Sequence, residues 1–119
     1  MKLAITSEGE GLQSLVDPRF GRAKFFIVMD TETQTVEAVP NAVNQNAAQG
    51  AGIQAGKKIV ELGVKSLITG HTGPKAFETL RAGDVEIYTG ATGTVAEAVE
   101  LFKAGKLKAM QAADVEGHW

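Results

Sequence analysis

GVKSLITGHTGPKAFETLRAGDVEIYTGATGTVAEAVELFK, residues 63–103, spells one unit twice: a short strand-like run, a TG-x-TG turn and a helix-like stripe. The runs KSLIT (65–69) and VEIYT (85–89) are β-branched or aromatic and of strand length. In TVAEAVELFK (94–103), Val95, Ala98, Val99 and Phe102 recur at helical spacing and predict one buried stripe. Thr94 with Glu97 forms a T-x-x-E capping box, which fixes where that helix begins. In PKAFETLR (74–81), Pro74 suits the first helical position, and Phe77 and Leu80 share a face. Upstream, GAGIQAGKKIVEL (50–62) predicts a third helix with Ile53, Gly56, Ile59 and Val60 inside. Gly63, Gly83 and Gly105 follow the three helices and suit left-handed caps.

The first half reads differently. KLAIT (2–6), AKFFIVMD (23–30) and TVEAVPN (35–41) predict strands, and the short polar link TETQ predicts a hairpin between the last two. The element order is therefore β-β-β-α-β-α-β-α, with LKAM (107–110) as a candidate edge segment. Right-handed crossovers then place strands 4 and 5 parallel to strand 1, on the side away from the hairpin. The expected architecture is α/β: a ribonuclease-H-like three-layer fold with a five-stranded mixed sheet, order 3-2-1-4-5, flanked by three helices. Residues 1–112 are expected to form a single cofactor-binding domain and 113–119 a C-terminal tail.

Composition narrows the function. Twelve basic and 14 acidic side chains give a net charge of −2, which leaves no footprint for general nucleic-acid or membrane binding. Any cationic site must be local. The chain has no cysteine, so disulfides, thiolate-held zinc, thiolate-ligated iron–sulfur clusters and a Cys nucleophile are all excluded. The start, MKLAITSEGEG, has too short an apolar run for a signal peptide, and a cytoplasmic protein is expected. No phosphate-loop motif occurs, and Pro74 stands where such a loop would need an N–H donor. The first strand offers no carboxylate for a two-metal nuclease, and Ser14 and Ser66 lack a nucleophile-elbow setting. His71 and His118 are far apart with no third ligand at metal-site spacing, and no catalytic dyad is visible.

In this topology the loops after strands 1, 3, 4 and 5 (7–22, 41–50, 70–73 and 90–93) gather at one end of the sheet, where open α/β sheets bind ligands. The two TG-x-TG turns become neighbouring strand-to-helix bends built on Gly70, Gly73, Thr92 and Gly93. Their helix N-termini favour anions. Geometry alone does not call for a histidine at 71, because Ala91 serves at the equivalent position. VDPRFGRAKF (16–25) brings Arg19, Arg22 and Lys24 towards the same end, and guanidinium groups suit oxyanions and large soft anions. Gly21 turns this loop, and Phe20 either plugs the core or walls the site. The bland alternatives are turn glycines serving geometry only, solvated loop charges, and Arg19 paired with Asp17. The amide-rich NAVNQNAAQGAG (41–52) reads as a neutral lip or a plain connection.

VDPRFGRAKFF, GAGIQAGKKIVELGVKSLITG, GHTGPKAFETL and TGTVAEAVELFKAGKL together resemble the dinitrogenase iron–molybdenum cofactor biosynthesis family, over nearly the whole chain. The resemblance implies a ribonuclease-H-like fold and the binding of metal–sulfur clusters or their precursors, including a molybdenum–copper sulfide cluster held without covalent attachment. It carries the family's loop histidine onto His71, its glycine framework onto Gly70 and Gly73, and its arginine loop onto Arg19, Phe20, Gly21 and Arg22. Thr72 stands where some relatives have cysteine, which makes an iron–sulfur or iron–molybdenum precursor the weaker expectation.

Chemistry and resemblance converge on a carrier, not an enzyme, for a preformed anionic metal–sulfur cluster. Arg19, Arg22, His71 and helix N–H groups would neutralise its charge, with His71 as the candidate metal ligand. Sulfide supplies the soft ligands to molybdenum and copper. The expected partners are the cluster and cluster-assembly or cell-division proteins; a monomer is expected. Two alternatives remain: an interaction module in metal-cofactor assembly or cell division, and a small phosphate- or nucleotide-binding domain. For His118 and Trp119 there are two readings, a flexible tail and a fold-back over the site.

Overall fold

The computed structural model describes residues 1–41 and 50–110. Its five strands are β1 (Lys2–Ser7), β2 (Phe25–Asp30), β3 (Val36–Pro40), β4 (Val64–Ile68) and β5 (Glu86–Tyr88). They form one sheet in the order β3-β2-β1-β4-β5, as the sequence predicts. β1 pairs antiparallel with β2 and parallel with β4, β2 pairs antiparallel with β3, and β4 pairs parallel with β5. Strands β1, β3, β4 and β5 therefore share a direction, and their carboxyl ends lie together. The 107–110 segment contributes a single antiparallel bridge, Tyr88 to Ala109, with the Met110 N–H donating to the Ile87 carbonyl at 2.8 Å.

Alternation along the strands splits the core in two. Ala4, Phe26, Val28, Leu67 and Ile87 face α1 (Ala51–Glu61) and α2 (Pro74–Ala82), which contribute Ala55, Ile59, Ala76 and Leu80. Leu3, Ile5, Ile27 and Ile68 face α3 (Val95–Lys103) through Val95, Ala98 and Val99. Two helices thus cover one face and the third covers the other. No helix among the described residues is long and apolar enough to cross a membrane.

Two local expectations are corrected. The inner stripe of α1 is Ala51, Ala55, Gly56 and Ile59, with Ile53 and Val60 only half-buried. The small residues turn inward because α1 and α2 approach closely: a Cβ at Gly56 would stand 3.0 Å from Thr79 Cγ2. At the end of α2 the left-handed residue is Asp84, at φ 62°, whereas Gly83 has φ −93°. Gly83 is needed for space instead, since a Cβ there would run into the Val60 side chain.

The capping box of α3 is present. Glu97 N–H donates to Thr94 Oγ1 at 3.1 Å, and Thr94 N–H donates to Glu97 Oε1 at 2.9 Å. Thr94→Ala should therefore cost about 1 kcal/mol, read as a lower urea midpoint at unchanged slope. The Thr94 backbone N–H, and after it the Thr94 hydroxyl, hold the Glu97 carboxyl below the usual carboxylate range. Because the folded value is depressed, this contribution is present above the unfolded carboxylate pKa and fades as pH falls through the folded one. Wild type should lose stability relative to Glu97→Gln on acidification; parallel pH curves would contradict this.

Candidate functional site

The loop after β1 is laid across the carboxyl end of the sheet by consecutive backbone bonds. Val16 N–H donates to Gly93 O at 2.9 Å, Asp17 N–H to Thr6 O at 3.0 Å, and His71 N–H to Pro18 O at 2.8 Å. Val16 joins the core on the α3 face, whereas Phe20 and Ala23 join the core on the α1/α2 face. The loop thereby crosses from one side of the sheet to the other and ends in a 3₁₀ turn, Phe20–Arg22.

Arg19 and His71 meet through this crossing. His71 donates to Pro18 O and accepts from Phe20 N–H at 3.3 Å, a parallel bridge that sets Arg19 opposite His71. Parallel pairing puts the two side chains on the same side of the local ladder. Gly70 makes the approach possible, because a Cβ there would lie 2.6 Å from Pro18 Cα. Gly21 does the same on the other side, where a Cβ would lie 2.9 Å from Gly52 N at the start of α1.

The structure sorts the candidate residues by access. Phe20 is fully buried and stacked on Phe26 with ring centroids 5.8 Å apart, so it plugs the core and anchors the loop. Gly21, Gly70 and Gly73 are buried as well. Thr72 is buried and its hydroxyl donates to Met110 Sδ at 3.4 Å. Arg19 has a side chain 49% exposed, Arg22 and His71 are half-buried, and Lys24 and Lys75 are exposed. Residues 42–49 of the amide-rich stretch and the tail with His118 and Trp119 lie outside the described residues.

The helix N-termini at this end divide differently from expectation. α1 and α2 cover the same face of the sheet and begin at Gly50 and Gly73, with no side-chain cap and no acidic residue in the first turn. α3 begins on the opposite face, and its first N–H groups are taken. Val95 donates to Ser14 O and Ala96 to Leu12 O, both at 2.9 Å, while Thr94 and Glu97 cap each other. The Glu97 carboxylate also stands over Gly93, where a Cβ would lie 2.8 Å from Oε1. Thr92 and Gly93 thus lead into a helix end that is already satisfied and carries a negative charge. Among the described residues, the starts of α1 and α2 are the ends at this side of the sheet without a side-chain cap, the setting that favours an anion.

Sequence reasoning missed the residues that support this end of the sheet. Thr6 and Thr69 are fully buried at the ends of β1 and β4, with their hydroxyl oxygens 2.9 Å apart. A polar residue closing each strand was the available signal. Among the described residues, no group of three or more His, Cys, Asp or Glu side chains is placed to hold a metal ion.

Comparison with known proteins agrees with this fold. The model of the dinitrogenase iron–molybdenum cofactor family matches residues 1–105. The chain belongs to that family. Among solved structures of similar proteins, the apo form of the orange protein from Desulfovibrio gigas is 39% identical, with a TM-score of 0.93 over 96% of each chain. A putative NifB protein from Thermotoga is 40% identical, with a TM-score of 0.85 over 98% of each chain. An uncharacterized protein of Methanocaldococcus jannaschii is 28% identical over 91% of this family member and 90% of its own length. Family membership links this chain to metal-cluster binding or cofactor biosynthesis.

Proposed function

We propose that the chain carries a preformed anionic metal–sulfur cluster, a molybdenum–copper sulfide or a related molybdenum species, as non-covalently held cargo. The observation that carries this reading is the backbone clamp between Pro18–Phe20 and His71, which gathers Arg19, Arg22 and His71 near the uncapped starts of α1 and α2. The donor set fits such a cargo. A chain without cysteine offers no thiolate, so the metals must bring their own sulfide. What the protein supplies is charge and N–H donors, which suit the outer sulfides of an anion. His71 can donate to a sulfide or ligate copper as a neutral imidazole. An iron–sulfur or iron–molybdenum precursor is the poorer match for want of thiolates. No catalytic role is needed, and the protein's partners would be those that supply or receive the cluster.

The test uses Arg19→Ala/Arg22→Ala and His71→Ala, each loaded with tetrathiomolybdate and a copper salt and then desalted. Each should retain at least about tenfold less metal than wild type, the size expected for losing one charge-assisted contact in His71→Ala and the minimum for the two lost in the double variant. Retention equal to wild type in both would overturn the assignment. Thermal stabilisation by inorganic phosphate or nucleotides, with none by thiomolybdate, would favour a phosphate-binding domain instead.

A further inference from the structure

Among the described residues, Asp17 alone buries a charged side chain, at 4% exposure. A buried carboxylate beside an anion site is unfavourable on charge grounds, so its presence asks for a reason. Its Oδ1 accepts the Arg19 backbone N–H at 3.0 Å and lies 3.8 Å from Arg19 Nε. One oxygen thus holds the backbone of Arg19 by a hydrogen bond and stands within ion-pair range of its Nε edge, which leaves the Nη edge to meet a ligand. Beneath it, Thr6 Oγ1 lies 2.7 Å from the Asp17 carbonyl and 2.9 Å from Thr69 Oγ1. Thr6 Oγ1 is the donor in both contacts, so its one proton is shared between the Asp17 carbonyl and the Thr69 hydroxyl. The chain Thr69, Thr6, Asp17, Arg19 runs from the ends of β4 and β1 to the site.

The geometry points to Asp17 as a positioning residue that aims Arg19 at the cargo, held in place from below by the Thr69–Thr6 hydroxyl pair. This rests on the cluster-carrying reading above. Asp17→Asn keeps an oxygen for the Arg19 N–H and removes the negative charge that faces Nε, so it separates steering from the turn itself.

The experiment loads the full chain with tetrathiomolybdate and copper, desalts it and follows the loss of visible absorbance. Asp17→Asn should lose cluster about tenfold faster than wild type, the lower end for a residue that orients a ligand. In an Arg19→Ala background the same change should add nothing, because Asp17 acts through Arg19. Thr6→Val should also accelerate loss, and Thr6→Ser should restore the wild-type rate. An unchanged rate in Asp17→Asn, or equal acceleration with and without Arg19, would overturn the assignment. If wild type itself retains no cluster, the carrier reading fails, and positioning is read on the unloaded chain from hydrogen exchange at Arg19 Nε by ¹⁵N NMR. Slow exchange in wild type and Thr6→Ser, with fast exchange in Asp17→Asn and Thr6→Val, supports it; equal rates overturn it.

Discussion

Phe20→Ala should lower stability by about 3–5 kcal/mol, the cost of emptying a buried aromatic site. The ring has no solvent exposure and stacks on Phe26 at the edge of the core formed with α1 and α2. Its neighbours belong to the sheet and to packed helices, so they can collapse only partly into the space. Phe20→Leu, which restores most of the volume, should cost about 1.5 kcal/mol or less. The same ring tethers the loop that carries Arg19 and Arg22. Cluster retention should therefore fall with Phe20→Ala even under conditions where the chain stays folded. Urea unfolding checks the first effect; a loss below about 1 kcal/mol would mean that the ring does not anchor the loop.

Gly70→Ala is the second large effect, through crowding instead of a cavity. The new Cβ would lie 2.6 Å from Pro18 Cα and 2.7 Å from Pro18 O, positions held by backbone and a rigid ring. Relief requires moving the two segments apart, which breaks the His71 N–H to Pro18 O bond and separates Arg19 from His71. The expected cost is about 2–4 kcal/mol, overpacking plus a lost backbone bond. Ala→Gly at the equivalent turn position, Ala91, should not mimic it. If Gly70→Ala unfolds at the wild-type urea concentration, the close approach is not a constraint.

Local chemistry was legible in the sequence wherever a residue acts on its own neighbours. Thr94 and Glu97 announce the start of α3 because both partners lie within one turn. The TETQ link announces the hairpin, now seen as antiparallel pairing of β2 with β3. The sheet order followed from handedness and loop length, which are global rules and need no side-chain detail. What escaped depends on contacts between distant segments. Gly83 looked like a left-handed cap, but its role is set by Val60 on another helix. Ile53 looked like a core residue until the close packing of α1 on α2 turned the smaller residues inward.

The site shows the same division. Arg19, Arg22 and His71 were readable as candidates from residue type and loop position. Their meeting was not, because it depends on a backbone bridge between segments about fifty residues apart in the sequence. The repeat of TG-x-TG suggested two equivalent helix ends, yet β5 is followed by a helix on the opposite face with its own carboxylate cap. Thr72 was readable as the position where some relatives have cysteine, and its hydroxyl meets Met110 from beyond α3. Asp17 was visible only as a competitor for Arg19; its burial and the hydroxyls beneath it belong to the fold.

The most direct test of the account is reconstitution of the wild-type chain. Purified protein is incubated with tetrathiomolybdate and a copper salt, desalted, and its visible spectrum and metal content are measured in the protein fraction. A coloured fraction with molybdenum and copper in fixed proportion to protein is the expected result. A colourless, metal-free fraction from folded protein would contradict the account.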